Sequence, residues 1–177
     1  MAFYDSDVSV MIDAGTVEAR VRELGVQIAR DYQGKDLTLI GILKGSVFFT
    51  TDLARAIDLP LTVEFLGVSS YQGGTETTGE VRITSDLTKP MAGKHLLIVE
   101  DIIDTGLTMK FLLENLSARH PASLKICTLL EKPSRARTTV PIDYKGFVIE
   151  DKFVVGYGLD FDEVYRNLPF IGVMKGK

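Results

Sequence analysis

Four apolar residues, Leu96, Leu97, Ile98 and Val99, run straight into two adjacent acids, Glu100 and Asp101. Two more apolar residues follow, then Asp104-Thr105-Gly106-Leu107-Thr108 and a helical pattern. A short, continuous apolar run with β-branched members predicts a strand buried on both faces of a parallel sheet. The Thr-Gly-Leu-Thr sequence predicts a tight turn whose free amides open onto a helix. Such turns form anion-binding nests, and a helix N-terminus adds partial positive charge. Three acids placed just before that nest call for a ligand with a phosphate for the amides and hydroxyls or a metal ion for the carboxylates.

The rest of the chain repeats the strand-to-helix rhythm. Val17, Val21, Leu24 and Ile28 recur at helical spacing over 16–32, and Gly34 closes that helix. Residues 37–43, LTLIGIL, read as a buried strand ending in Lys44-Gly45-Ser46, and 47–57 as a helix. Pro60 precedes a strand over 61–68. Leu112, Leu113 and Leu116 mark a helix over 109–119. Residues 124–130 form another buried strand, ending in Glu131-Lys132-Pro133, and 144–149 a further one, with strand-like character again over 153–157. The tail after that mixes loop and apolar residues. Alternating strands and helices argue for a parallel sheet with right-handed crossovers. In such sheets ligands bind outside the carboxyl ends of the strands, where Lys44, Glu100 to Thr108 and Lys132 all fall.

Residues 69–90 break the rhythm, with three glycines, many hydroxyls and only a short β-like piece over 81–83. A connection this long is either a lid or a surface hairpin.

Composition narrows the function. A chain of 177 residues, 45% of them hydrophobic, buries a substantial core and is read as one domain. Net charge is −4, so no global basic field exists for nucleic acid, and any anion must be held by local groups. The single cysteine, Cys127, lies in the apolar run LKICTLL and reads as a core thiol in a reducing compartment. No apolar run nears the roughly 18 residues of a membrane span, and the first residues lack the pattern of a signal peptide. The expectation is a cytoplasmic protein without a membrane partner.

The wording Val99-Glu100-Asp101-Ile102-Ile103-Asp104-Thr105-Gly106-Leu107-Thr108 resembles the phosphoribosyl pyrophosphate motif of type I phosphoribosyltransferases, in particular their hypoxanthine-guanine branch. The resemblance spans about 39–166. It implies an α/β fold: an open, mainly parallel sheet flanked by helices, a small hood to which about 151–177 contributes, and a mobile flap over about 69–90. It also implies transfer of the ribosyl 5-phosphate group from phosphoribosyl pyrophosphate to N9 of hypoxanthine or guanine, with Mg2+. The products are IMP or GMP and pyrophosphate, and the assembly is a homodimer or homotetramer.

Residue by residue, the resemblance assigns Glu100 and Asp101 to the ribose hydroxyls, directly or through magnesium. By themselves these acids read equally as metal ligands or solvent-facing caps. Asp104 matches the residue that takes the ring proton of the purine, a task within reach of a nearby carboxylate; it also suits a helix N-cap. Thr105, Gly106, Leu107 and Thr108 match the 5-phosphate grip. Lys44 and Gly45 match the loop that receives the pyrophosphate, where the peptide before the lysine can be cis, and Arg166 matches a second pyrophosphate contact. Lys132 matches the donor to the purine O6, Phe153 the ring that stacks on the base, and Val154 the backbone contact at its edge. Asp160 matches a further acid of the base and metal site, with Asp162 and Glu163 read as solvated. Ser70 and Tyr71 match the Ser-Tyr pair of the flap. A xanthine or uracil enzyme of the same family, and an RNA-binding regulator built on the same fold, are the rival readings. Lys132 and Phe153 weigh against uracil, and the acidic charge weighs against RNA.

Overall fold

The computed structural model describes residues 7–70 and 81–176, with Ser70 described by its backbone alone. Tyr71 and the centre of the long connection lie outside the described residues. In chain order the elements are β1 (Val8–Ile12), α1 (Ala14–Asp31), β2 (Leu37–Leu43), α2 (Val47–Ala56), β3 (Leu61–Ser70) and β4 (Val81–Ser85). Then come β5 (His95–Ile103), α3 (Leu107–Ser117), β6 (Ser123–Glu131), a 3-10 turn at Pro133–Arg135, β7 (Tyr144–Val148), β8 (Val154–Val155) and β9 (Ile171–Met174).

Six strands form one sheet in the order β4-β3-β2-β5-β6-β7. All neighbours in it run parallel except β4, which pairs antiparallel with β3. The apolar runs are long enough to serve both faces, and side chains alternate between them with period two. Leu97 and Val99 of β5 face α1 and α2, in a core with Val17, Val21, Leu24, Ile28, Phe49 and Leu53. Leu96 and Ile98 face the other way and pack with Met109, Leu112 and Leu116 of α3. Cys127 is a fully buried free thiol in the first of these cores, as expected, and burial pushes its pKa far up.

The α1 residues picked out by spacing are all buried, together with Gly25. The helix begins two residues earlier than its apolar pattern, because Asp13 caps it: Thr16 donates its amide to Oδ1 at 3.0 Å and its hydroxyl to Oδ2 at 2.6 Å.

A second, three-stranded sheet, β1-β9-β8, forms the hood. Here the structure differs from the sequence reading. The tail contributes a real strand, β9, and the hood is completed by the N-terminal β1, which pairs with β9 antiparallel. Of the strand-like 153–157, only Val154–Val155 is a strand.

Candidate active site

The chain runs from β2 to β3 on one side of the large sheet and from β5 through β6 to β7 on the other. The direction of winding therefore reverses between β2 and β5, and a crevice opens at their carboxyl ends, the place where open α/β sheets take ligands. That crevice, about 470 Å³, is lined by Lys44 and Gly45 after β2, Glu100 and Asp101 of β5, Thr108 of α3, Val68 and Ser69 of β3, and Asp160 and Arg166 from the hood segment.

A smaller cavity of about 90 Å³ continues from Glu100 along Asp104, Thr105, Gly106 and Thr108. Gly106 precedes α3 with a left-handed φ of 80°, and no side chain caps this helix. A side chain at Gly106 would also meet the Thr138 carbonyl. Glycine thus permits both the turn and the close packing. Gly106, Thr108 and Met109 at the start of α3 line the small cavity, and Leu107 N–H reaches Thr105 Oγ1 at 3.4 Å. Asp104 is not the N-cap. Its Oδ1 instead accepts a hydrogen bond from Arg135 Nε at 3.2 Å.

Glu100 and Asp101 are only 8% and 9% exposed. Burial, then the charge of Asp101, raises the Glu100 pKa well above the ordinary carboxylate value. Burial also raises that of Asp101, against hydrogen bonds from Glu100 and the Ile102 amide and, less, the charge of Arg166. Two buried acids side by side, with no cation paired to them among the described residues, favour whatever brings positive charge. Hard oxygen ligands of this kind suit a divalent cation. Among the described residues no three His, Cys, Asp or Glu side chains cluster as a metal cage, so an ion here would need oxygens from a ligand as well.

The Lys44–Gly45 loop lies directly on this pair. A Cβ on Gly45 would collide with Asp101 Oδ2, and one on Gly158 would collide with the Gly45 carbonyl. The Leu43–Lys44 peptide is cis. Arg166 reaches in from the hood segment, donating from Nη1 to the Gly158 carbonyl and pairing through Nη2 with Asp160, both at 2.8 Å. Among the described residues its buried Nε has no hydrogen-bond partner, a donor left over for a ligand. Asp160 lines the crevice, but both its oxygens are engaged: Oδ1 by Arg166 and Oδ2 by the Glu163 amide at 2.9 Å. Glu163 is more than a solvated acid. It pairs with Lys44 at 2.8 Å and with Arg166 at 3.4 Å, joining two cations that the sequence reading placed on one ligand group.

On the far side, Lys132 follows β6 and is 8% exposed despite its charge. Its Nζ lies 3.6 Å from Asp151 Oδ1. Phe153, two residues on from Asp151, is 40% exposed and meets the Phe161 ring edge-on at 5.7 Å. Val154 is buried beside it. Arg135, Asp151 and Glu163 were not singled out from sequence. They sit in polar loops, and only their long-range partners reveal them.

A parallel sheet with an amide cradle and paired acids at its switch point defines a class of sugar-phosphate-handling proteins. Residues 11–162 match the phosphoribosyl transferase domain, and the chain belongs to that family. It is 51% identical over 178 residues to the hypoxanthine-guanine phosphoribosyltransferase of Mycobacterium avium, covering 97% of this chain and 88% of that one. It is 49% identical over 166 residues to the enzyme of the same name from Staphylococcus aureus strain Mu50, covering 94% and 93%. The crystal structure of a hypoxanthine phosphoribosyltransferase from Staphylococcus aureus superposes with a TM-score of 0.94 at 47% identity, covering 98% of this chain and 95% of that one. The open, mainly parallel sheet flanked by helices is the one the sequence reading expected; the hood is there too, but built with the unexpected strands β1 and β9.

Proposed function

We propose that this chain is a purine-salvage transferase that moves the ribosyl 5-phosphate group of phosphoribosyl pyrophosphate to N9 of hypoxanthine or guanine, releasing pyrophosphate. The observation that carries this is the juxtaposition of the phosphate-sized amide cradle with the buried Glu100–Asp101 pair at one switch point. The family and the half-identical relatives support the same reading.

In this reading the amides of 105–108 and the hydroxyls of Thr105 and Thr108 hold the 5-phosphate. Glu100 and Asp101 accept from the ribose hydroxyls. They and Asp160 are the residues that would hold Mg2+, with oxygens of the ligand completing the set because the three do not form a cage by themselves; the ion would supply charge neutralisation for the departing pyrophosphate. Lys44, Gly45 and Arg166 receive that group, with Glu163 paired to both cations until it arrives. Lys132 has only donors to offer, so it favours a purine carbonyl at O6 over an amine. Phe153 supplies a face for the ring, and Val154 a backbone contact at its edge. Asp104 accepts the ring proton as the new bond forms. Ser70 and Tyr71 belong to a flap that shields the charged sugar from water. One domain, 1–177, carries the whole site, with 151–177 in the hood. A homodimer or homotetramer in the cytoplasm is the setting the family suggests; no helix among the described residues is long and apolar enough to cross a membrane.

Turnover of hypoxanthine, guanine and xanthine with phosphoribosyl pyrophosphate tests this, wild type against Asp104→Asn. An amide cannot take a proton, so kcat should fall by about 10²–10⁴ with KM values largely kept. Full activity in the variant would remove Asp104 from the chemistry. A wild type inert with every 6-oxopurine would remove the function.

A further inference from the structure

Four charged side chains of alternating sign cross the base end of the site. Asp104 Oδ1 accepts from Arg135 Nε at 3.2 Å. Arg135 Nη1 lies 3.6 Å from Asp151 Oδ2, and Asp151 Oδ1 lies 3.6 Å from Lys132 Nζ. Asp151 therefore gives one oxygen to each cation. The two ends of the row, Asp104 and Lys132, are the groups assigned above to the ring proton and to O6. Neither middle member lines the crevice or the small cavity.

The backbone fastens the same segment down. Lys132 N–H donates to the Ile103 carbonyl at 3.0 Å, and the amides of Arg137 and Thr138 both donate to the Thr105 carbonyl, at 3.0 and 3.3 Å. Arg135 rides on the 3-10 turn between these anchors. Its position relative to Asp104 is set by backbone as well as by charge.

We infer that Arg135 and Asp151 are positioning residues for the transfer reaction, holding the proton acceptor and the O6 donor at a spacing that fits a 6-oxopurine; this rests on the function proposed above. Arg135 occupies one oxygen of Asp104 and leaves Oδ2 without a hydrogen bond among the described residues, so a single lone-pair edge is presented to the base. Asp151 lies 3.6 Å from Lys132 Nζ, an ion pair too long for a hydrogen bond, so it holds the ammonium in place and leaves its donors for the base. The side chains of Arg135 and Asp151 are 50% and 49% exposed, and ion pairs so open to water contribute little to stability. Their value lies in geometry. Arginine suits the middle place because its planar fork reaches two carboxylates from separate nitrogens, which a single ammonium does not reproduce.

The test is steady-state kinetics on Arg135→Ala, Arg135→Lys, Asp151→Asn and the Arg135→Ala/Asp151→Asn double variant, with thermal melting as the control on folding. Arg135→Ala should lose about ten- to a hundredfold in kcat with hypoxanthine, the scale of a small misplacement of a reacting group. Its melting temperature and its KM for phosphoribosyl pyrophosphate should stay close to wild type, and Arg135→Lys should recover only part of the loss. Asp151→Asn should raise KM for hypoxanthine and narrow the preference for hypoxanthine over adenine. The double variant should lose less in kcat/KM than the product of the single losses, since either cut breaks the same row. Should Arg135→Ala fold poorly, Arg135→Gln keeps most of the stem and carries the same expectation. Wild-type kinetics in Arg135→Ala, an effect confined to phosphoribosyl pyrophosphate, or multiplicative losses in the double variant would each overturn the inference while leaving the proposed function standing. A wild type inert with 6-oxopurines would take both down.

Discussion

The two ends of the crevice treat charge in opposite ways. At the sugar-phosphate end, Glu100 and Asp101 are buried acids near the start of α3, and among the described residues no cation pairs directly with either. At the base end, Asp104, Arg135, Asp151 and Lys132 neutralise one another before any ligand arrives. The first end is costly to keep empty and gains most from a ligand that brings its own cation. The second is close to balanced, so it fixes orientation more than it supplies binding energy. Buried unpaired charge is a demand for a partner, whereas paired, half-exposed charge is a template.

The sharpest way to break this contrast is Gly45→Ala. The new methyl group would strike Asp101 Oδ2, pushing the Lys44 loop off the acid pair. We expect kcat/KM for phosphoribosyl pyrophosphate to fall by about a hundredfold or more, while binding of the purine, followed by quenching of Tyr fluorescence or by calorimetry, changes little. Equal losses at both ends would mean that the crevice is one mechanical unit rather than two. Next in size is Lys132→Met at the base end. Losing a charged hydrogen bond worth about 1.5–3 kcal/mol should raise KM for hypoxanthine by roughly one to two decades. The KM for phosphoribosyl pyrophosphate should hold, and adenine should become a relatively better competitor.

The sugar-phosphate end could be read from the chain because its parts are contiguous. Strand, acids, turn and helix follow one another from Leu96 to Met109, so local pattern and local chemistry coincide. The same holds for β2 and α1, where an unbroken apolar run or a clean 3.6-residue period leaves little choice. β1 and β9 were missed for the converse reason. They are five and four residues long, Gly172 interrupts one, and their pairing partner lies at the other end of the chain. Arg135, Asp151 and Glu163 escaped for a related reason. Each sits among polar loop residues, and its meaning comes from a contact with Asp104, Lys132 or Lys44 that no spacing rule encodes.

Phe153→Ala sharpens the comparison at smaller scale. An aromatic face under a nucleobase is worth about 1–3 kcal/mol in binding, so KM for either purine should rise by roughly five- to a hundredfold. Because this ring is 40% exposed and meets Phe161 only edge-on, the melting temperature should move little. A large fall in melting temperature with unchanged KM would make Phe153 a core residue of the hood instead.

The smallest effect is also the most direct measure of the strain at the sugar-phosphate end. Burial, aided by the Asp101 charge, raises the Glu100 pKa in the folded state, so between its ordinary value and the raised one the folded protein holds a proton that the unfolded chain has released. Stability then falls as pH rises through that interval; this contribution is full below the unfolded pKa and gone above the folded one. In buffer free of divalent cations, wild type should therefore lose melting temperature relative to Glu100→Gln, which removes the titrating group, between an acidic buffer near the ordinary carboxylate pKa and a more alkaline one. The variant's own slope should be shallower rather than flat, because burial raises Asp101 as well. Phosphoribosyl pyrophosphate with Mg2+ should restore more melting temperature to wild type than to the variant, whose amide is a poorer ligand for a hard cation. A variant that melts like wild type at both pH values would show that the acid pair is already relieved by water, and the contrast between the two ends would lose its electrostatic basis.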